Sequence, residues 1–157
     1  MFKKYELTRE SMTSEDNKVK VYRIKALKDF GNVKKGDLGG FVESEDNLSH
    51  FGKCWIDNNA IVCDGAWVSE NAKVCGNAFI YDDAEITGNA RVYGNSEVSG
   101  FETEVGGHAR VYGNAKVYDG LIRGKARVHG NAIIYDNIEV AGDAEVIDDI
   151  SKYIEIA

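Results

Sequence analysis

Proline is absent from the 157 residues, and only three cysteines occur. No apolar run approaches the roughly 18 to 20 residues needed to cross a bilayer, which argues against a membrane span. Cys54, Cys63 and Cys75 are odd in number and lack paired C-x-x-C spacing, which speaks against a disulfide framework and against zinc. The opening MFKKYELTRE has no apolar stretch behind its lysines, so a secretory signal is not expected. The expectation from these absences is a chain working in a reducing cytoplasm. Lack of proline beside 17 glycines suits a long β structure that turns on Gly, Asn and Asp.

Charge is unevenly spread. Residues 1–35 hold ten Lys/Arg against five Asp/Glu, a balance of +5, and the rest hold nine against twenty-one, giving −12 and the overall −7. An acidic body repels a duplex from most directions, so duplex nucleic acid is an unlikely partner.

What the chain does contain is a repeat of six. From residue 66 it runs AWVSEN, AKVCGN, AFIYDD, AEITGN, ARVYGN, SEVSGF, and after a disturbance ARVYGN, AKVYDG, ARVHGN, AIIYDN, IEVAGD, AEVIDD. Small and aliphatic residues at the first and third positions alternate with outward ones, as in a short strand. The last two positions carry residues that tolerate positive φ. A helix cannot use the pattern, because a period of six does not keep the valines on one 3.6-residue face. The aliphatic column runs from Ile56 to Val146 in sixteen rungs spaced by six, except for a seven at Val98→Val105 and a five at Val117→Ile122, which cancel.

The pairs Val68/Ala72, Val74/Ala78, Ile80/Ala84, Ile86/Ala90 and Val92/Ser96 carry a resemblance to the hexapeptide-repeat family. It covers roughly residues 54–149. The resemblance implies an all-β, left-handed parallel β-helix of about five coils, three hexads to each triangular coil, about 25 Å tall. Residues 1–47 are expected as a small N-terminal β cap, 48–149 as the β-helix and 150–157 as a closing strand, with Ile147, Ile150, Ile154 and Ile156 sealing the last coil. KALKDF and GDLGGFVE followed by such a helix also resemble a group of phage and prophage hexapeptide-repeat proteins. No activity follows from that.

Stacking every third hexad assigns the outer faces. The first carries Lys73, Arg91, Arg110 and Arg127, with Cys75, Tyr93, Tyr112 and His129 beside them. The second carries Ile61, Phe79, Glu97, Lys116 and Ile133, beside Cys63, Tyr81, Ser99, Tyr118 and Tyr135. The third carries Trp67, Glu85, Glu104 and Glu139. Like charges stacked about 5 Å apart repel by somewhat under 1 kcal/mol per pair in water, so a basic ladder suits an anion or an acidic surface. The basic face of one subunit meeting the acidic face of the next can close as a three-fold ring, and the family resemblance implies a homotrimer, with Phe79, Tyr81, Glu85, Glu104, Tyr118, Tyr135 and Glu139 as interface candidates. Alternatively, or together, Lys73, Arg91, Tyr93, Arg110, Tyr112, Arg127 and His129 hold a phosphate-bearing ligand, Arg on phosphate oxygens and aromatics on a base.

Many hexapeptide-repeat proteins are acyltransferases with a histidine base, which the resemblance carries to three positions here. His50 suits a filler at the cap junction and His129 a surface or interface position. His108, behind Gly106-Gly107 and near the insertion around Phe101–Thr103, is a weak catalytic candidate with a turn residue as the plainer assignment. A long loop excursion and a helical C-terminal element, usual in such enzymes, are missing from the sequence pattern. GDLGG lacks P-loop spacing and suits a tight turn. No metal site and no cofactor are expected, Asp82-Asp83 and Asp148-Asp149 being corner residues. The expectation is a non-enzymatic phage-type protein that inhibits a bacterial defence component, by docking on a host protein or by sequestering a nucleotide-like ligand. The alternatives are a virion structural or assembly part, docking through the second face, and an acyltransferase.

Overall fold

A small–x–aliphatic unit ending in a tight turn buries its inner residues only by coiling back over itself. The structure, a computed structural model, describes residues 2–14 and 18–148. The chain is an all-β parallel solenoid whose stacked strands form three sheets. Eighteen aliphatic residues fill its axis in three columns of six, so there are six coils. The columns are Val42, Val62, Ile80, Val98, Val117, Ile134; Leu48, Val68, Ile86, Val105, Ile122, Val140; and Ile56, Val74, Val92, Val111, Val128, Val146. All are at most 4% exposed. Corners take positive φ at residues such as Asn58, Asp64, Gly76 and Gly94, matching the turn residues of the repeat.

The extra coil corrects the expected five, and it moves the start of the solenoid into the segment assigned to the cap. Strands β1 (Tyr5–Thr13), β2 (Lys20–Ala26) and β3 (Leu38–Val42) are antiparallel to one another in that order. Strand β3 then pairs in parallel with Ile61–Val62, making it the first rung of the second face. The N-terminal hairpin therefore continues one sheet of the solenoid rather than lying across its end. GDLGG supplies part of this strand: Gly39 and Gly40 lie in β3, and only Gly36 is in a turn, at φ +95°. The expected closing strand over 150–157 falls outside the described residues, and Ile147 is half exposed.

Two departures from the period of six are stacked on one corner. Thr103, after the extra residue, donates its hydroxyl to the Ser99 carbonyl at 2.7 Å and accepts from the Gly120 N–H at 3.2 Å, in the shortened corner one coil on. The long and short corners thus satisfy each other, between the second and third faces.

The first coil is closed by polar as well as apolar contacts. The Tyr5 ring is fully buried and its hydroxyl donates to the Leu48 carbonyl at 2.6 Å, with the Glu45 carbonyl at 3.1 Å. His50 stacks on Tyr5 at 4.2 Å, accepts from the Lys4 N–H at 3.1 Å and lies 2.7 Å from the Glu45 carboxylate. Its place is structural. Lys4 is fully buried, its ammonium donating to the Cys54 carbonyl at 2.7 Å, and burial lowers its pKa. Burial first, then nearby Glu45, pushes the Tyr5 phenol above its usual range. A raised pKa stabilises the fold fully below the ordinary tyrosine value near 10, and that contribution is lost as pH climbs beyond it. Tyr5→Phe should therefore cost about 1 kcal/mol at pH 7, and its deficit relative to wild type should narrow at pH 10.5, since Lys4 is common to both chains. Urea denaturation at the two pH values measures this; a deficit that widens with pH contradicts it.

Candidate functional site

Parallel pairing puts residues one coil apart side by side, so like residues at one hexad position become a ladder. On the first face, Lys73 pairs with Arg91, Arg91 with Arg110, and Arg110 with Arg127. Trp55 precedes this column and Glu145 ends it. The column beside it brings three rings together: Tyr93 and Tyr112 stack at 4.9 Å, Tyr112 and His129 at 4.6 Å, each pair 2° from parallel. His129 contacts the Glu145 carboxylate at 2.7 Å, and Arg127 reaches the same carboxylate at 3.5 Å. The His129 hydrogen bond and Arg127 hold the Glu145 carboxyl below its usual pKa.

The upper cations differ. Among the described residues, Lys73, Arg91 and Arg110 have no carboxylate within ion-pair distance. They face a cavity of about 570 Å³ whose outer wall is the loop between β2 and β3. Val33 and Asp37 come from that loop and Leu38 from the start of β3, with Trp55, Asp57, Cys75 and Tyr93 from the solenoid. The loop is held in place from beneath, Phe30 packing edge-on against Trp55 at 5.3 Å and bonding reciprocally with Val33. Both carboxylates in the lining already accept backbone N–H bonds, Asp37 from Lys34 at 2.9 Å and Asp57 from Asn58 at 2.9 Å. They shape turns, and neither lies within ion-pair distance of the three cations. Cys75 is half-buried; burial first, and then Asp57, pushes its thiol pKa up against the pull of Arg91 and Lys73, so it stays a thiol. Above Tyr93 the column continues with Cys75, which has no ring, so the stack ends there with one face of Tyr93 uncovered by an aromatic neighbour.

Other candidates are distributed differently. Phe79, expected at a subunit interface, is only 8% exposed. It packs in a cluster with Val21, Phe41 and Cys63 under the chain's own hairpin, so it offers no surface to a partner. Tyr81 stacks on it at 4.5 Å. Tyr118 is half-buried and Tyr135 exposed on the same face. Glu85, Glu104 and Glu139 share the third face, but Leu121 stands between the last two, and Glu139 is paired with Arg123 at 3.5 Å. His108 is exposed in the corner column after Asn71 and Asn89, ahead of Lys125, and its N–H continues their backbone ladder. It stands at a different corner from the insertion, so the irregular spacing builds nothing around it. Among the described residues no group of three or more His, Cys, Asp or Glu is placed to hold a metal ion.

Sequence reasoning missed Trp55, Asp37, Asp57, Leu38 and Lys125. Trp55 was recoverable, lying 18 residues before Lys73 in the same column. The loop wall carries no periodic signal. Fold and site together define a parallel β-solenoid with a cationic, aromatic-edged groove along one face. No protein-family model matches the chain, and no curated protein matches its sequence.

Proposed function

We propose that the chain is a binding protein whose first-face groove holds a nucleotide-like anion. The observation that carries this is three cations without carboxylate partners facing one cavity beside the open end of an aromatic stack. Arg and Lys bond phosphate oxygens, and a base lying over Tyr93 continues the stack at the place Cys75 leaves small. The donors stand on hydrogen-bonded rungs, so binding orders their side chains without rearranging the backbone. The Cys75 thiol in the lining is held protonated by burial and by its neighbour Asp57, a carboxylate that shapes a turn.

The resemblance to phage-type hexapeptide-repeat proteins gives the groove a context. On that basis the protein belongs to the left-handed hexapeptide-repeat β-helices, works in the cytoplasm of a bacterial host, and sequesters a nucleotide signal on which host defence depends. A homotrimer fits this role, because the exposed Glu85 and half-buried Glu104 offer an acidic stripe to a neighbour's basic edge. A native mass spectrum of protein purified gently from bacteria provides the test. Extra mass in the nucleotide range, removed by unfolding, is the expected result. Ligand-free protein whose melting temperature does not respond to any of a panel of nucleotides would overturn the proposal.

A further inference from the structure

A second cavity, about 290 Å³, lies lower on the same side and is lined by His108, Arg110, Lys125 and Arg127. Arg110 also lines the larger cavity, so the two adjoin across one guanidinium. Their linings differ in a telling way. The upper one mixes cations with carboxylates and the edge of a stack; among the described residues, the lower one has no carboxylate in its lining. Lys125 and Arg110 have no ion-pair partner among the described residues, and Arg127 shares Glu145 with His129. From Lys73 to Arg127 the cations cover three rung spacings, about 14 Å. A single phosphate contacts one or two neighbouring rungs and cannot engage both ends of such a row.

Resting on the binding role proposed above, we infer that the two cavities form one elongated site, and that its ligand carries at least two phosphate groups linked by a nucleoside. The ligand class is a dinucleotide or short oligonucleotide. One base stacks on Tyr93 with its phosphate between Lys73, Arg91 and Arg110. The next phosphate enters the lower cavity, where Arg110, Lys125 and Arg127 bond its oxygens and the His108 imidazole donates a further hydrogen bond. His108 thereby acquires a binding role in place of a catalytic one. Both His108 and Lys125 stand at exposed turn positions, so truncating them removes contacts without opening the core.

Calorimetric titrations with adenosine monophosphate and with the 5′-phosphorylated adenosine dinucleotide test the inference, with melting temperature as the control for folding. Wild type should bind the dinucleotide at least tenfold more tightly than the mononucleotide. The double variant His108→Ala/Lys125→Ala should lose about tenfold for the dinucleotide and stay within twofold for the mononucleotide. Equal affinity of wild type for both ligands, or an unchanged dinucleotide affinity in the variant, overturns the elongated site. Mononucleotide binding that Arg91→Glu abolishes would then leave the groove itself standing. Binding of neither ligand to wild type overturns both proposals.

Discussion

Arg91→Glu is expected to reduce nucleotide affinity at least 100-fold while leaving the melting temperature unchanged or raising it. Arg91 is the middle of the three cations facing the larger cavity, flanked by Lys73 and Arg110 on adjacent rungs. Removing a charge-assisted hydrogen bond to phosphate costs about 1.5–3 kcal/mol, and a carboxylate in its place adds repulsion, so a loss of about 3 kcal/mol or two decades is a lower bound. The effect on the fold has the opposite sign. Like charges directly opposite on neighbouring strands destabilise, whereas opposite charges contribute roughly 0.2–1 kcal/mol per pair. The substitution converts two repulsive neighbours into attractive ones, and the gain of about 1 kcal/mol corresponds to roughly 2–4 °C in a chain of this size. Thermal melts with and without nucleotide read both effects from one sample. A variant that binds normally, or that loses binding only because it melts lower, contradicts the assignment of the ladder to ligand.

The second large effect falls on stability. Gly40→Ala is expected to cost about 3 kcal/mol, at the upper end for overpacking, although the register places Gly40 in the small-residue column directly beside Ala60. A methyl group on Gly40 would lie 2.6 Å from the Ala60 carbonyl oxygen and 2.7 Å from Ile56 Cγ2. The oxygen belongs to a backbone bonded into the ladder, accepting from the Phe41 N–H, and cannot move aside. Gly36→Ala makes the comparison. There φ is +95° but nothing lies within 4 Å, so only backbone strain opposes the change, about 1 kcal/mol. Because β3 connects the hairpin to the first coil and closes the loop that walls the groove, Gly40→Ala should weaken nucleotide binding as well. Equal denaturation midpoints for the two variants would show that the close approach of β3 to the coil is not a constraint.

How much of this was legible depended on repetition. Sixteen of the eighteen core aliphatics, the basic ladder and the Tyr93–Tyr112–His129 column follow from counting sixes, because pairing in parallel converts sequence period into spatial adjacency. Val42 and Leu48 were hidden by the first coil itself. It replaces the small–x–aliphatic hexad with a 3₁₀ turn at Glu45–Asn47, capped by Ser44, and the buried Asn47 side chain donates to the Ala66 carbonyl at 2.8 Å in place of a strand. An eight-residue gap then separates Leu48 from Ile56. The groove was half visible for the same reason. Its floor is periodic, but its wall at Val33 and Asp37 belongs to a loop whose path is set by the packing of Phe30 on Trp55, a contact that no spacing encodes. Phe79 was placed on the correct face and given the wrong neighbour, since periodicity locates a side chain on the solenoid but does not say where the N-terminal hairpin folds back.

Rungs at a fixed spacing make the basic groove a graduated scale. Each coil of about 18 residues adds one mark, close to 4.8 Å, and one more outward side chain to the row. If the groove holds the proposed ligand, its length is measured in whole steps by the number of coils bearing a cation, with Glu145, following Arg127, as the stop at the lower end. Excising residues 74–91 would remove a single mark while rejoining hexads in phase, because one full turn of the coil is lost. A chain shortened in that way would be calibrated for a ligand one step shorter, so length preference in this fold can change by copying or deleting a turn without redesigning any single contact.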